Sequence, residues 1–351
     1  MRPIVTRFAP EKGRVEAADR RLRVHWDTME TGDGPAAAAA GPPPGGGPAR
    51  AWARAFGHDL RTHPPAVVLL RGLRRARLLL DPGRVRALLA SPSLAAHAAA
   101  EGGGDPLFCL SSRHYLARDL APRARIAAAA CHYPELDRRF DAAWLRAVNG
   151  AGEGLVLWRH PVGAHDHDIV LRRGRDVADE GALSLIFRVD RGIHCVLSFT
   201  RVPGRLLQAP GGPPLPGAVW FISRKHLTMR RDYQADFHRA FHRVGPAQMA
   251  LAAFSGMACA LGDEAAVCIG AARQPSNAPE RAGQFATAYD GFWRACGARP
   301  LGANFLLPLP LPRRPAESLP GPKRKRARLR QAARQEVEDA AFAVTRQHLA
   351  G

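Results

Sequence analysis

Ala182-Leu183-Ser184-Leu185-Ile186-Phe187, the turn Asp190-Arg191-Gly192, and Ile193-His194-Cys195-Val196-Leu197-Ser198-Phe199 together decide the fold. Two short apolar runs flank a turn in which aspartate and glycine supply the backbone freedom of a tight connection, so the stretch predicts a β-hairpin. The rhythm extends to both sides. Gly154-Leu155-Val156-Leu157-Trp158 and Asp168-Ile169-Val170-Leu171-Arg172 come before it, and Ala218-Val219-Trp220-Phe221-Ile222-Ser223 follows a proline- and glycine-rich loop, Pro203 to Gly217. Gly- or Asp-rich turns separate these runs, which predicts an antiparallel meander beginning at Asn149-Gly150.

Downstream the pattern changes. A long helix is predicted from about Asp232 to Leu261, with a break at Gly245-Pro246, because proline disfavours a helical residue before it. A strand over Ala265 to Ala271, a helix from Gln284 to Cys296 and a strand over Asn304-Phe305-Leu306-Leu307 follow. The order predicts an α+β fold with one mixed, mostly antiparallel sheet flanked by helices. Upstream, from Ala51 to Leu145, the period is helical: Leu69, Leu70, Leu73 and Leu80 recur at three- and four-residue spacing, with Arg71, Arg74, Arg75 and Arg77 between them. Asp81-Pro82-Gly83 and Ser91-Pro92-Ser93 read as helix starts. One helix is predicted from Pro122 through Cys131-His132-Tyr133, and another from Pro134 to Val148. Gly32 to Pro48, with Pro42-Pro43-Pro44 and Gly45-Gly46-Gly47, has too few large apolar side chains to offset the entropy of ordering. The expected plan is a tail over 1–50, a helical region over 51–148, an α+β domain over 149–315 and a basic C-terminal helix over 316–351.

The chain has 351 residues, of which 46% are hydrophobic and 23% charged, an ordinary globular balance. Its formal charge of +20 is not ordinary, and only four of the 51 basic residues are lysine. Such a surplus points to an anionic partner, whereas an Ala-, Gly-, Pro- and Arg-rich composition also follows from a GC-rich genome. The six cysteines form no Cys-x-x-Cys pair and several sit in apolar runs, as buried free thiols do. Met1-Arg2-Pro3-Ile4-Val5 lacks the apolar core of a secretory leader and no run of about 18 apolar residues occurs, so a cytoplasmic location is expected.

Four phrases in order resemble the VirK/YbjX family of bacterial proteins. They are Arg125-Ile126 with Cys131-His132-Tyr133; Asp179-Glu180-Gly181-Ala182-Leu183-Ser184-Leu185; Tyr289-Asp290-Gly291-Phe292-Trp293 with Gly297; and the basic run Lys323 to Arg330 after a Leu-Pro strand end. They span roughly residues 60 to 345. The sequence departs from the family where a Gln-Gly step is usual, here Val219 to Lys225. It departs again before the long helix, where Phe237-His238-Arg239-Ala240-Phe241-His242 replaces a Gly-Leu-Arg-Pro-Lys phrase. The resemblance implies an accessory role in envelope biology or virulence, with an envelope-related protein or an anionic membrane face as partner. It implies no established chemistry.

The meander-helix-strand-helix-strand order also looks like an N-acetyltransferase (GNAT-like) fold, in which two strands splay to hold an acyl-CoA. That likeness makes Tyr289 the candidate acid, and Arg224, Lys225, Arg230 and Arg231 the candidate phosphate ligands, in a stretch without glycine. Trp293 stands where the usual tyrosine spacing before Gly297 would place the acid, with Tyr289 one turn earlier. The enzyme reading expects a cleft between splayed strands with Tyr289 pointing into it; a filled surface there counts against it. The alternative for Phe285, Tyr289, Phe292 and Trp293 is core packing.

His238 and His242 have helical metal-ligand spacing, but Arg239 and Arg243 would repel a cation. His165-Asp166-His167-Asp168 lies at a predicted turn, where alternation lets only half converge. No metal site is expected. The run Lys323 to Arg330 suits nucleic acid or an anionic leaflet, as in a non-catalytic binder of anionic surfaces, or else a solvated helix start. It lacks the interleaved aromatics of a single-stranded nucleic-acid site, so specific nucleic-acid binding is not expected.

Overall fold

The computed structural model describes residues 64–94, 110, 114–150, 152–174, 180–228, 237–313 and 315–350, together with 53, 56, 57 and 59–61. The predicted tail, Cys109, Asp179, Arg230 and Arg231 lie outside the described residues. The meander forms as the sequence predicts: β1 (Leu155–Val162), β2 (His165–Arg173), β3 (Leu183–Val189), β4 (Gly192–Pro203) and β5 (Ala218–Leu227) pair antiparallel in order. At the deciding hairpin Asp190 and Arg191 take positive φ, 49° and 67°, matching the twist of β3 and β4. β6 (Ala265–Ile269) adds parallel to β5, and β7 (Arg299–Leu301) and β8 (Asn304–Pro308) complete an eight-stranded sheet ordered β1-β2-β3-β4-β5-β6-β8-β7. The sequence reading missed β7. It is three residues long and contains Pro300, which the sheet tolerates there because β7 is an edge strand.

Among the described residues before β1 lie α1 (Pro65–Ala76), a 3-10 turn (Arg77–Leu80), α2 (Pro82–Leu89), α3 (Pro122–Arg139) and α4 (Ala142–Asn149). Asp81 caps α2 by accepting from the Arg84 N–H at 3.2 Å. The predicted boundary at Pro134 is corrected. α3 runs through it to Arg139, and the break comes at Asp141, whose carboxylate caps α4 by accepting from Trp144 N–H at 2.7 Å. Pro134 faces solvent, so water can serve the carbonyl that loses its helical donor.

After β5, residues 237–240 make one helical turn that ends at His242 and Arg243, both with positive φ (52° and 68°). α5 (Pro246–Ala260) begins at the predicted break. α6 spans residues 282–295, with a π-helical turn (Ala286–Gly291) between α-helical ends, and α7 (Gly321–Gln347) closes the fold. α5 is buried almost all round, and Phe254 packs edge-on against Phe199 of β4 and Trp220 of β5. α7 lies across α5 at Gly256, where a Cβ would stand 2.0 Å from the Glu338 carbonyl oxygen. Beside that crossing Ser255 Oγ donates to Glu338 Oε1 at 2.5 Å, and Arg313 donates to the other carboxylate oxygen at 2.8 Å. α7 also accepts a hydrogen bond from Trp158 of β1 at Glu336 (3.0 Å). Just beyond it the His348 carbonyl accepts from Asp141 N–H (3.0 Å), and Ala350 N–H donates to the Arg139 carbonyl (2.8 Å). Among the described residues no helix is long and apolar enough to cross a membrane, and five cysteines are free thiols.

Candidate functional site

β5 and β6 pair for only three residues: Trp220 with Ala266, Phe221 with Val267 and Ile222 with Cys268. Beyond Ile222 the two strands part. On the other side of β5, Ser198 opposes Arg224 while Phe199 opposes Ile222, so Ser223 is an extra residue. This β-bulge bends β5 where its neighbour leaves. From Ser223 to Lys225 the free edge of β5 needs partners for backbone groups that a strand would otherwise serve.

Side chains serve them. Gln274 Nε2 donates to the Ser223 carbonyl at 3.0 Å and to the Tyr289 hydroxyl oxygen at 2.8 Å. Tyr289 donates to the Lys225 carbonyl at 3.0 Å and accepts from Lys225 N–H at 3.4 Å. Tyr289 and Gln274 thus act as rungs on the edge of β5, and both are buried. Burial, reinforced by the Glu180 carboxylate, pushes the Tyr289 hydroxyl up to about 12, so the phenol keeps its proton at neutral pH.

The Tyr289–Trp293 phrase sits on the π turn and its exit. Asp290 accepts from Ala271 N–H at 2.8 Å, and Trp293 Nε1 donates to the Ile269 carbonyl at 2.9 Å, so the phrase ties the end of β6 to α6. The Phe292 and Tyr289 rings cover the Lys225 ammonium at 4.9 and 5.6 Å from their centroids. Burial lowers the pKa of that ammonium, and the ring faces offset part of the lost hydration.

Glu180 accepts from Arg224 at 3.2 Å and from Ser276 Oγ at 3.3 Å, while its backbone carbonyl accepts from Ser223 Oγ at 2.5 Å. Gly181 then runs against β4: a Cβ there would stand 2.7 Å from Phe199 N and 3.1 Å from its oxygen. The glycine is what allows the Glu180 segment to reach the bulge. Gly181→Ala is expected to lower stability by about 1–2 kcal/mol through forced backbone shifts, read as a lower urea midpoint with unchanged slope; an unchanged midpoint would show that β4 yields freely.

His132 belongs to another contact. It is fully buried, accepts from Arg201 N–H at 3.2 Å through Nδ1, and meets Tyr133 and Trp220 edge-on. Burial pushes its pKa down to about 3, with Arg201 adding in the same direction, so the ring is neutral.

Of the residues singled out in the sequence, Glu180, Arg224, Lys225 and Tyr289 come together around the bulge. Arg224 is turned to Glu180 and Lys225 lies under two aromatic rings, so neither offers its charge to an open face. His242 leaves the helical turn that holds His238, which undoes the helical ligand spacing. On β2 His165 meets Asp190, His167 packs on Phe241 and Asp168 forms a two-pronged pair with Arg188 at 2.7 Å. Among the described residues no three His, Cys, Asp or Glu side chains stand together as a metal would require. Gln274, Ser223 and Ser276 escaped the sequence reading, because their roles follow only from where β6 stops.

Residues 225–341, about a third of the chain, match a family model described as a protein of unknown function (DUF535). The matched segment runs from the free edge of β5 through α5, β6, α6, β7 and β8 into α7. No curated protein and no solved structure matches the chain.

Proposed function

We propose that this chain is a VirK-like accessory factor of the bacterial envelope. In this reading its acetyltransferase-like sheet serves as a binding scaffold and not as an acyl-CoA enzyme. Two findings support the family part. The four phrases of the resemblance occur in order, and the segment similar to a family of unknown function contains both the Tyr289–Trp293 phrase and the Lys323 to Arg330 run. The likeness to an acetyltransferase sheet rests on the strand order and on a parallel pair that parts at a bulge.

The observation that carries the scaffold reading is the occupied edge of β5. In an acyl-CoA site of this plan, the extended amide arm of the cofactor would pair with the strand beyond the splay. Here the Ser223 and Lys225 backbone groups already bond to Gln274 and Tyr289. A pyrophosphate would need backbone N–H groups at a helix start or uncommitted cations, whereas Ser223 to Thr228 has no glycine and Arg224 and Lys225 are both engaged. The described residues do not fit the cofactor, and no acyl-transfer step follows from them.

A thermal-shift titration with acetyl-CoA and longer acyl-CoAs tests this reading. A ligand that binds only the folded state raises the midpoint once its concentration exceeds its dissociation constant. No rise at millimolar ligand is expected. Tyr289→Phe is expected to lower the midpoint without ligand, by about 1–2 kcal/mol of stability, because a buried carbonyl and a buried amide each lose a partner. A saturable, acyl-dependent rise would overturn the scaffold reading and return Tyr289 to the role of acid.

A further inference from the structure

α1 buries Arg75 beside Val68 and turns its leucines outward. A surface helix ordinarily buries its apolar stripe and shows its charges. Here Arg75 is buried and pairs with the buried Asp59 at 2.6 Å, and Arg71 joins the same carboxylate at 2.7 Å. The leucines face outward: Leu69 is 66% exposed, Leu73 62% and Leu70 48%, and Leu80 on the following 3-10 turn is 47% exposed. Leu69, Leu70 and Leu73 share one side of the helix by their spacing, so the exposed leucines form a continuous face.

Along the sequence around these leucines the charge is mostly of one sign. Between Leu60 and Ala100 the sequence holds seven arginines and a single acid, Asp81, which is paired with Arg84 at 2.6 Å. Arg61, Arg77 and Arg86, near the leucines in sequence, are exposed. Two such faces apposed would set arginine against arginine, and among the described residues of this stretch the acids, Asp59 and Asp81, are already paired. A protein hot spot favours tryptophan, tyrosine and arginine at its centre and under-represents leucine. Aliphatic side chains interspersed with arginine suit an anionic bilayer, where apolar insertion and charge attraction act together.

We propose that the outward face of α1, with Leu69, Leu70, Leu73 and Leu80 at its centre, docks on an anionic phospholipid membrane surface. The leucines enter the acyl boundary and the flanking arginines meet the lipid phosphates. The helix lies in the interface and does not cross it, since its 12 residues are too few to span a bilayer. This inference does not depend on the reading of the β5 edge.

Flotation of the full chain with vesicles tests it. Vesicles of phosphatidylglycerol and phosphatidylcholine in equal parts are expected to carry the protein, and pure phosphatidylcholine vesicles are not. L69Q/L70Q/L73Q is expected to weaken the association by about tenfold or more at an unchanged thermal midpoint, because exposed side chains contribute little to folding. Lys323→Gln with Lys325→Gln and Arg326→Gln is expected to keep most of the binding. Absence of binding, equal binding to both vesicle types, full binding by the leucine variant, or loss confined to the lysine–arginine variant would each overturn the proposal. So would leucine-dependent self-association without lipid. Should the leucine variant fail to fold, hydrogen exchange across residues 65–80 of the unaltered chain decides: slowing on addition of phosphatidylglycerol vesicles supports the docking, and unchanged exchange refutes it.

Discussion

Asp263→Ala is expected to lower the stability of the fold by about 3 kcal/mol, from the rule that removing one partner of a buried ion pair strands the other charge. The Asp263 carboxylate stands just past the end of α5. One of its oxygens accepts from Arg201 of β4 at 2.7 Å and from the Trp220 indole of β5 at 2.8 Å. Arg201 and Trp220 are both buried, so alanine leaves a guanidinium and an indole N–H without their acceptor inside the protein. Glu135 of α3, 3.6 Å from Arg201, keeps the loss at the lower end of the range. Asp263→Asn retains an acceptor oxygen without the charge and is expected to lose about half as much. Urea unfolding of the three proteins decides the matter. Equal midpoints for the native and alanine forms would show that Glu135 alone holds Arg201.

Acidification from pH 7 to pH 5 is expected to cost about 2 kcal/mol of stability through His132 alone, at about 1.4 kcal/mol per pH unit. Burial holds the folded ring near 3, far below the ordinary histidine value of 6.5. Below about pH 6.5 the unfolded chain takes up a proton that the folded chain refuses, so the balance moves toward unfolding. The stability is complete above that point and is lost as pH falls from 6.5 toward 3. His226, which burial pushes down to about 4, and His167, also lowered by burial, act in the same direction. The paired carboxylates Asp59 and Glu135 act in the same sense, in a more acidic window. Their lowered pKa values stabilise the fold above the ordinary carboxylate range, so their loss begins only at lower pH. Urea midpoints at pH 7, 6 and 5 test this, with His132→Phe beside the native chain. The variant is expected to be weaker at pH 7, since Arg201 N–H loses its acceptor, yet to lose about 2 kcal/mol less between pH 7 and 5. An undiminished loss in the variant would assign the acid sensitivity elsewhere.

The parts of this fold that sequence reading recovers are those set by local pattern. The Asp190-Arg191-Gly192 turn specifies its hairpin because a short connection admits few backbone geometries, and Gly245-Pro246 marks the start of α5. Pro134 misled because exposure, which a linear pattern does not record, decides whether a helix can pass through proline. β7 is too short for any periodicity. At the candidate site, Tyr289 was legible as an aromatic at a suggestive place on a helix. Its role as a rung of β5 was not, because that follows from β6 ending five residues before Gln274. The leucines of α1 were read correctly as a helical stripe. Which way the stripe faces depends on Asp59, a single distant carboxylate that draws Arg71 and Arg75 inward.

The bonds at the far end of α7 set an order in time. Glu336 serves Trp158, 178 residues earlier, and His348 meets Asp141, 207 residues earlier. At ordinary synthesis speeds a separation of that length takes roughly 10–40 s to emerge. Throughout that interval α3, α4 and β1 lack the partners that complete them, and once α5 has emerged its side at Gly256 waits uncovered until α7 follows. A chain that stops before α7 is therefore expected to be cut by proteases faster than the full chain, because these elements stay uncovered.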